Sequence, residues 1–224
     1  MTKDNVLVVV AHSDDEVLGC GGTIAKHVAN GDRVSVCFMT DGVSSREVNC
    51  RESKRREVAS KLALEELGVN KVYQNDLPDN RMDELPLLEI IKPIEKIISI
   101  EQPTIIYTHF AYDLNVDHRL VHQAVITACR PQSWSSVKKI LSFEVLSSTE
   151  WNPSGAKKFN PQYVVNVSDF FEKKMIALKC YEEEMRNFPH SRSYECVEAL
   201  AVLRGATHGY THAESFQVER FLID

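Results

Sequence analysis

The sequence predicts an α/β protein built on a doubly wound, mostly parallel sheet, and three observations support this. Short apolar runs alternate with segments of helical periodicity, in the order β-α-β-α-β-α-β up to about residue 130. Most of these runs are nearly continuous rather than alternating, as is typical of strands covered on both faces. The length of 224 residues suits one full-sized domain of this class.

Four segments are predicted as parallel strands: Val6–Val10, Arg33–Met39, Lys71–Tyr73 and Thr104–Thr108. In a doubly wound sheet with right-handed crossovers, the first and fourth strands lie side by side where the strand order reverses. Ligands of such sheets bind in the crevice outside the carboxyl ends of these strands. The residues that follow these two strands should therefore form one site.

Three helices are predicted between these strands. The first ends at Gly31 and the second at Gly68, because glycine commonly terminates a helix. The third is interrupted by Pro93 and ends before Pro103. The predicted ranges are Gly22–Ala29, Arg51–Leu67 (with Leu62, Leu64 and Leu67 available for the core) and Glu84–Ile100.

The second half of the chain has a looser pattern. It is predicted to contain strands at Ile140–Leu146, Tyr163–Val167 and Ser215–Leu222, and helices at Asp169–Met185 and Glu195–Arg204. No linker and no internal repeat marks a boundary. We therefore predict one Rossmann-like, three-layer α/β/α domain over residues 1–224, with a core of roughly 1–130 and a C-terminal extension of 131–224.

Composition excludes several classes of function. The net charge is −6 and no basic block is present, so we expect neither a nucleic-acid partner nor binding to an anionic membrane. No apolar run is long enough to span a membrane, and the N-terminal run lacks the features of a secretory signal. The six cysteines are scattered without a C-x-x-C pair, which favours reduced thiols and a cytoplasmic location.

A cluster of charge follows the first strand, in the segment Ala11-His12-Ser13-Asp14-Asp15-Glu16. Adjacent carboxylates repel one another and raise each other's pKa, so the cluster needs compensation. A divalent cation is the simplest compensation. Zinc accepts an imidazole together with carboxylate oxygens.

The segment after the fourth strand completes the pattern. It contains His109, Asp113, Asp117 and His118, and Asp117 is predicted to cap a helix that continues through Cys129. His118 from this segment would join His12 and Asp15 from the first loop.

These three residues, His12, Asp15 and His118, make three protein ligands with a position left for water, which is the arrangement of a catalytic zinc site. Fe²⁺ suits the same ligands. Of the neighbours Asp14 and Asp15, one should bind the metal and the other stay free as a general base.

Gly19-Cys20-Gly21-Gly22 invites an alternative interpretation as a phosphate-binding loop. The G-x-G-x-x-G spacing is absent, and no P-loop lysine follows. The upstream carboxylates would also repel a phosphate. We favour the interpretation that these glycines let the loop fold tightly over the sheet.

The chain resembles the PIG-L/LmbE family of zinc-dependent de-N-acetylases. That family has an Ala-His-Pro-Asp-Asp-Glu motif after its first strand and a His-Pro-Asp-His motif after its fourth. Here the matches are residues 11–16 and Asn115-Val116-Asp117-His118. Further matches are Thr40-Asp41-Gly42, Leu67-Gly68-Val69, Arg204-Gly205 and Ala213-Glu214-Ser215-Phe216. The resemblance therefore covers nearly the whole chain.

The resemblance implies a role for each residue of the two motifs. Zinc would be held by His12, Asp15 and His118, and Asp14 would be the general base and acid. Asn115 stands where the family has a histidine that polarises the carbonyl. An asparagine amide can donate a hydrogen bond to an oxyanion, but it carries no charge.

Two further residues bear on that position. His109 is an alternative partner for the oxyanion or the substrate. Asp117 would orient the missing histidine in the family, so its role in this chain is left open.

Three other residues are predicted to contact substrate. Arg56 occupies the place of a substrate-binding arginine in the family, although a solvated helix face is an equal alternative. Asp79 matches a family aspartate that contacts sugar hydroxyls. Arg192, in an unusual loop, has the chemistry to bind a phosphate or carboxylate.

The predicted function is hydrolysis of the acetamide of an N-acetylated amino sugar or glycoconjugate. The partner is then a small-molecule substrate, and a homo-oligomer is compatible with the sequence. Two alternatives stay open: a metal hydrolase of another amide or ester, and a non-catalytic sugar- or nucleotide-binding α/β module.

Overall fold

The structure is a computed structural model that describes residues 3–40 and 50–223. The strands in these residues are β1 (Asn5–Val10), β2 (Arg33–Thr40), β3 (Lys71–Leu77), β4 (Ile105–His109), β5 (Lys139–Phe143), β6 (Tyr163–Asn166) and β7 (Ala213–Phe221). The α-helices are α1 (Asp15–Ala29), α2 (Cys50–Leu67), α3 (Leu87–Glu101), α4 (Val116–Ala128), α5 (Phe171–Cys180) and α6 (Tyr194–Ala206).

These strands form one sheet in the order β3-β2-β1-β4-β5-β7-β6. Strands β1 to β5 run parallel, and β7 pairs antiparallel with both β5 and β6. Strand β1 lies between β2 and β4, so the strand order reverses where the sequence predicted it. The predicted doubly wound, mostly parallel α/β fold is confirmed.

The core consists of two apolar layers on opposite faces of the sheet. Val6, Val8 and Val10 of β1 face one layer, whereas Leu7 and Val9 face the other. Successive residues of a strand point to opposite faces, so a strand buried on both sides must be apolar throughout. The apolar run of β1 has this pattern. The first polar side chains come only after the carboxyl end of the strand.

Helix α1 begins at Asp15 rather than at the predicted Gly22, and it has a kink at Cys20 (φ −149°, ψ 24°). The predicted range corresponds to the part after the kink. The Glu214 carboxylate accepts hydrogen bonds from the backbone N–H groups of Gly22 (3.0 Å) and Thr23 (2.7 Å). A carboxylate of the chain itself therefore occupies the place that a phosphate loop would offer to a ligand.

Other boundaries also differ from the prediction. The predicted helix Asp169–Met185 is shorter, because α5 ends at Cys180 and a separate 3₁₀ turn follows at Glu182–Glu184. Helix α3 starts at Leu87 and continues through Pro93 without interruption. Leu62 is exposed rather than part of the core, although Leu64 and Leu67 are buried as predicted.

The expected tight loop at Gly19 is part of helix α1 in the structure, and Gly19 packs directly against the sheet. A Cβ at this position would lie 2.2 Å from the ring of Phe143. We expect Gly19→Ala to lower the free energy of unfolding by about 1–3 kcal/mol, the usual cost of overpacking a core. Gly155→Ala is the control, since nothing lies within 4 Å of that position. Equal urea midpoints for the two variants would contradict this packing.

Candidate active site

The loop between β1 and α1 is held in an unusual backbone conformation at Asp14. This residue has φ 116°, a left-handed region that a side chain rarely adopts. Its N–H donates to Glu16 Oε2 (3.0 Å), and Glu16 Oε1 accepts a hydrogen bond from the Tyr181 hydroxyl (2.7 Å). Glu16 is fully buried. Its carboxylate therefore stabilises the turn that presents Asp14 and Asp15.

Two imidazoles converge on one carboxylate oxygen at the carboxyl ends of β1 and β4. His12 Nδ1 and His118 Nε2 each lie 3.3 Å from Asp15 Oδ2. All three side chains are buried, and their ligand atoms form a group able to hold a metal ion. The group combines two imidazole nitrogens with a carboxylate oxygen, a donor set suited to a divalent transition metal.

The outer nitrogens of both imidazoles contact carboxylates. His118 Nδ1 lies 3.1 Å from Asp113 Oδ1. His12 Nε2 lies 3.2 Å from Asp117 Oδ2 and 3.1 Å from Asp79 Oδ1. Carboxylates in this position are typical of metal-binding histidines, because they fix the ring orientation and the tautomer.

His12, Asp79 and Asp117 form a second group able to hold a metal ion. In this second group, Asp117 already accepts hydrogen bonds from the backbone N–H groups of Asn80 (2.7 Å) and Met82 (3.1 Å). Asp117 therefore serves to orient His12 and to fasten the loop after β3. The group with Asp15 and His118 fits a metal better, because all its members line the cavity described below.

Asp14 lies beside the metal-binding group and contacts a cation. Arg192 Nη1 donates to Asp14 Oδ2 (2.9 Å), and Arg192 Nε donates to Ser147 Oγ (2.9 Å). The guanidinium is thereby held between two loops. Among the described residues, none forms a hydrogen bond or ion pair with the other carboxylate oxygen, Asp14 Oδ1.

The electrostatics of the site reflect its burial and its excess of carboxylates. Burial raises the pKa of Asp14 to about 6, against the opposing effect of Arg192. Burial alone would lower the pKa of His118, but Asp15 and Asp113 raise it to about 9. Burial also opposes ionisation of Asp113, yet hydrogen bonds from His118 and Ser148 hold its pKa at about 2. The site therefore attracts positive charge.

An open cavity of about 380 Å³ gives access to this group. Four carboxylates and two guanidinium groups are among its described lining residues, namely Asp14, Asp15, Asp79, Glu184, Arg56 and Arg192. Arg56 Nε donates to Glu184 Oε1 (3.0 Å) on one wall. The described lining therefore contains more carboxylates than guanidinium groups.

Comparison with known proteins identifies the family. Residues 7–129 match the family described as PIG-L, GlcNAc-PI de-N-acetylase. The chain belongs to the PIG-L family. The resemblance inferred from the two motifs is thus confirmed.

Two curated relatives extend over most of this PIG-L-family chain. The uncharacterized deacetylase YaiS of Escherichia coli is 30% identical over 185 residues, which cover 79% of this chain and 90% of the relative. The diacetylchitobiose deacetylase of Thermococcus kodakarensis is 27% identical over 224 residues, which cover 95% of this chain and 82% of the relative. Both names describe deacetylases.

A solved structure shows that this fold also hosts other chemistry. GalB, the 4-carboxy-2-hydroxymuconate hydratase of Pseudomonas putida, has a TM-score of 0.78 and 20% identity, covering 100% of this chain and 98% of that one. Its likeness concerns the fold alone. Because the same fold bears a hydratase, the reaction must be argued from the residues of the site.

The structure brings most of the predicted site residues of this PIG-L-family chain to one cavity. Its lining includes His12, Asp14, Asp15, Arg56, Asp79, Asn115, His118 and Arg192. The two arginines differ in one respect from the expectation that they bind substrate. Arg56 and Arg192 each form an ion pair with a carboxylate of the chain, so each guanidinium group is already neutralised by the protein.

The structure does not bring His109 to the cavity. His109 is the last residue of β4 and is fully buried, with its Nε2 accepting a hydrogen bond from the Ala11 N–H (2.9 Å). Its ring stacks on His118 at 3.9 Å between centroids. His109 therefore supports the metal-binding group from behind, and the expected contact with substrate does not fit this position.

The predicted cap of α4 is wrong by two residues. Asn115, not Asp117, is the N-cap, and its Oδ1 accepts hydrogen bonds from the N–H groups of Asp117 (2.8 Å) and His118 (3.4 Å). Asn115 Nδ2 donates to Asn80 Oδ1 (3.0 Å). The cap thus fixes the start of the helix that carries His118.

Several residues of the site were missed by sequence reasoning. Tyr181, Glu184, Ser147, Ser148 and Trp151 lie in the C-terminal extension, where the sequence pattern was loose. Asp113 was visible in the segment after β4, but nothing in its spacing connected it to His118. Asp41 and Gly42 of the Thr40-Asp41-Gly42 match lie outside the described residues.

The described residues contain no helix long and apolar enough to cross a membrane.

Proposed function

We propose that this chain is a metal-dependent hydrolase that removes the acetyl group from an N-acetylated amino sugar or glycoconjugate. The observation that carries the proposal is the convergence of His12, Asp15 and His118 beside a free carboxylate oxygen of Asp14 in an open cavity. Membership of the PIG-L family, and relatives named as deacetylases, support the choice of an acetamide as the scissile group.

We assign the metal to His12, Asp15 and His118, with Zn²⁺ as the first candidate and Fe²⁺ as the second. A divalent cation bound there supplies Lewis acidity, which activates water and polarises a carbonyl. His12 and His118 are oriented for this role by the carboxylates on their outer nitrogens.

Asp14 is assigned the proton transfers. Its Oδ1, the oxygen not engaged by Arg192, would take a proton from the attacking water. The same oxygen would return that proton to the amine as the C–N bond breaks. Arg192 holds the carboxylate in place from its other side. Burial of Asp14 excludes bulk water, which strengthens these interactions.

Asn115 lines the cavity and is the predicted hydrogen-bond donor to the oxyanion. Its amide nitrogen carries two hydrogens, and one of them points to Asn80 Oδ1. We assign the second to the acetamide oxygen as negative charge develops there. Asp117 is assigned a positioning role on His12, and Arg56 and Asp79 are assigned contacts with the sugar.

Replacing Asn115 separates its two roles. Serine is as good an N-cap as asparagine, so Asn115→Ser should leave the thermal midpoint nearly unchanged. It removes the amide donor, so kcat should fall roughly 10²–10³-fold. Asn115→Ala should lose both the cap and the donor. If Asn115→Ser keeps wild-type kcat, the residue is a helix cap only.

The experiment that tests the proposal is a screen for acetate release. Purified protein, loaded with Zn²⁺ or Fe²⁺, is offered N-acetylglucosamine, N,N′-diacetylchitobiose and nucleotide-linked N-acetyl sugars, beside O-acetyl esters and unrelated amides. We expect acetate from at least one N-acetyl sugar. Hydrolysis of the esters or other amides alone would favour the alternative hydrolase, and inertness toward all would favour a binding module.

We also propose a cytoplasmic location. The five cysteines described by the structure, Cys20, Cys37, Cys129, Cys180 and Cys196, are all unpaired, which supports a reducing environment.

A further inference from the structure

Trp151 is a large apolar side chain at the rim of an otherwise polar cavity. It lines the cavity and is 51% exposed. Leu114, also on the lining, is 46% exposed. The other described lining residues are polar or charged. An apolar surface left open beside a polar reaction site is typical of a place that a ligand covers.

The indole is held in a fixed position relative to the metal-binding group. Trp151 ends a 3₁₀ turn that starts at Thr149, and the hydroxyls of Ser148 and Thr149 both donate to the Asp113 carboxylate. Asp113 in turn holds His118. On the other side, the ring of His190 packs against the indole at 5.4 Å and 75°. Trp151 is thus preorganised rather than loosely exposed.

The charges near Trp151 do not favour an anionic group at this rim. Arg192 is paired with Asp14 and Arg56 with Glu184. Each guanidinium group among the described lining residues therefore contacts a carboxylate of the chain. A neutral ring can approach Trp151 without breaking either ion pair.

We propose that Trp151 is the platform of a second sugar subsite, on which the ring next to the acetamido sugar stacks. The apolar C–H face of a sugar ring complements the electron-rich face of an indole. The substrate class is then a neutral N-acetylated disaccharide or longer oligosaccharide. The inference rests on the proposed deacetylase function, since it extends the same cavity by one ring.

The test compares two substrates in three proteins. Rates of acetate release from N-acetylglucosamine and from N,N′-diacetylchitobiose are measured for the wild type, Trp151→Ala and Trp134→Ala. Trp134 is the other tryptophan of the chain, is 77% exposed and does not line this cavity. It is therefore a matched control for loss of an exposed indole.

We expect the wild type to prefer the disaccharide by about tenfold or more in kcat/KM, the effect of one aromatic anchor. Trp151→Ala should lose this preference, because its kcat/KM on the disaccharide falls to about the value on the monosaccharide. Trp134→Ala should behave as the wild type. An unchanged preference in Trp151→Ala would overturn the subsite and leave the deacetylase function intact. Inertness toward the disaccharide, with acetate released from another N-acetyl sugar of the screen, would also overturn the subsite alone, whereas inertness toward every N-acetyl sugar would overturn both.

A second readout does not depend on turnover. In a Trp134→Phe protein, Trp151 is the single tryptophan, so its fluorescence reports on the rim alone. We expect a saturable change in emission on addition of the fully deacetylated disaccharide, which has the same two rings and no acetamide to cleave. Trp151→Phe, which keeps only Trp134, should show no change. No change in the Trp134→Phe protein, or an equal change in the Trp151→Phe protein, would contradict the subsite.

Discussion

Asp14→Asn should lower kcat by roughly 10²–10⁴-fold, the usual contribution of a general base. The amide preserves the shape of the side chain and an oxygen for Arg192, but it cannot take a proton from water. The metal-binding residues His12 and Asp15 are unchanged. We therefore expect a full complement of metal in the variant, measured by elemental analysis, together with a thermal midpoint close to that of the wild type.

A matched control makes this result specific. Asp169→Asn is the same chemical change on an exposed carboxylate that does not line the cavity. It should leave kcat unchanged. If Asp14→Asn has near-normal kcat, proton transfer belongs to another group and the assignment of Asp14 is wrong.

His118→Ala should abolish stable metal binding and with it the activity. The substitution removes one of the two imidazoles that converge on Asp15, and Asp113 keeps only its hydroxyl and backbone donors. Metal content after dialysis should fall well below one equivalent. Asp113→Asn should have a smaller effect, a loss of about 10–100-fold in metal affinity, because it perturbs only the orientation of the ligand.

His208→Ala controls for the loss of a histidine as such. His208 is exposed, and its ring contacts the Arg204 carbonyl at the end of α6. This variant should bind metal as the wild type does. Retention of one equivalent of tightly bound metal by His118→Ala would show that His118 is not a ligand.

The sequence could predict the two halves of the site because each half follows a strand of a recognisable class. His12 and His118 are far apart in the chain, but β1 and β4 are neighbours wherever a doubly wound sheet reverses its order. Burial of both strands makes their apolar runs easy to recognise. Ligands of doubly wound sheets bind outside the carboxyl ends of these two strands. The polar segments after β1 and β4 could therefore be placed together without knowledge of any side-chain contact.

Contacts that depend on distant residues could not be predicted. Helix α1 has a kink at Cys20, and just after it the Gly22 N–H donates a hydrogen bond to the Glu214 carboxylate, 192 positions away in the chain. Likewise, Arg192 reaches Asp14 from the extension, across 178 positions. Local propensity contains no information about such pairs, since they exist only after the sheet has assembled.

The sequence also could not decide which of two chemically similar residues takes a given role. Asn115 and Asp117 are equally suitable N-caps, so a shift of two residues in the start of α4 has no local signature. His109 was an alternative partner for the oxyanion or the substrate because Asn115 replaces the family's histidine and His109 is a nearby imidazole in the same segment. Once β4 includes His109, its ring accepts the Ala11 N–H and lies behind His118.

We propose that three residues, His12, Asp15 and His118, hold one catalytic metal ion. The most direct measurement is the rate of acetate release by chelator-treated protein as Zn²⁺ or Fe²⁺ is added back in known amounts. We predict negligible activity without metal and a linear rise that levels off at one equivalent per chain. Full activity of the metal-free protein would show that the reaction does not need a metal ion held by these residues.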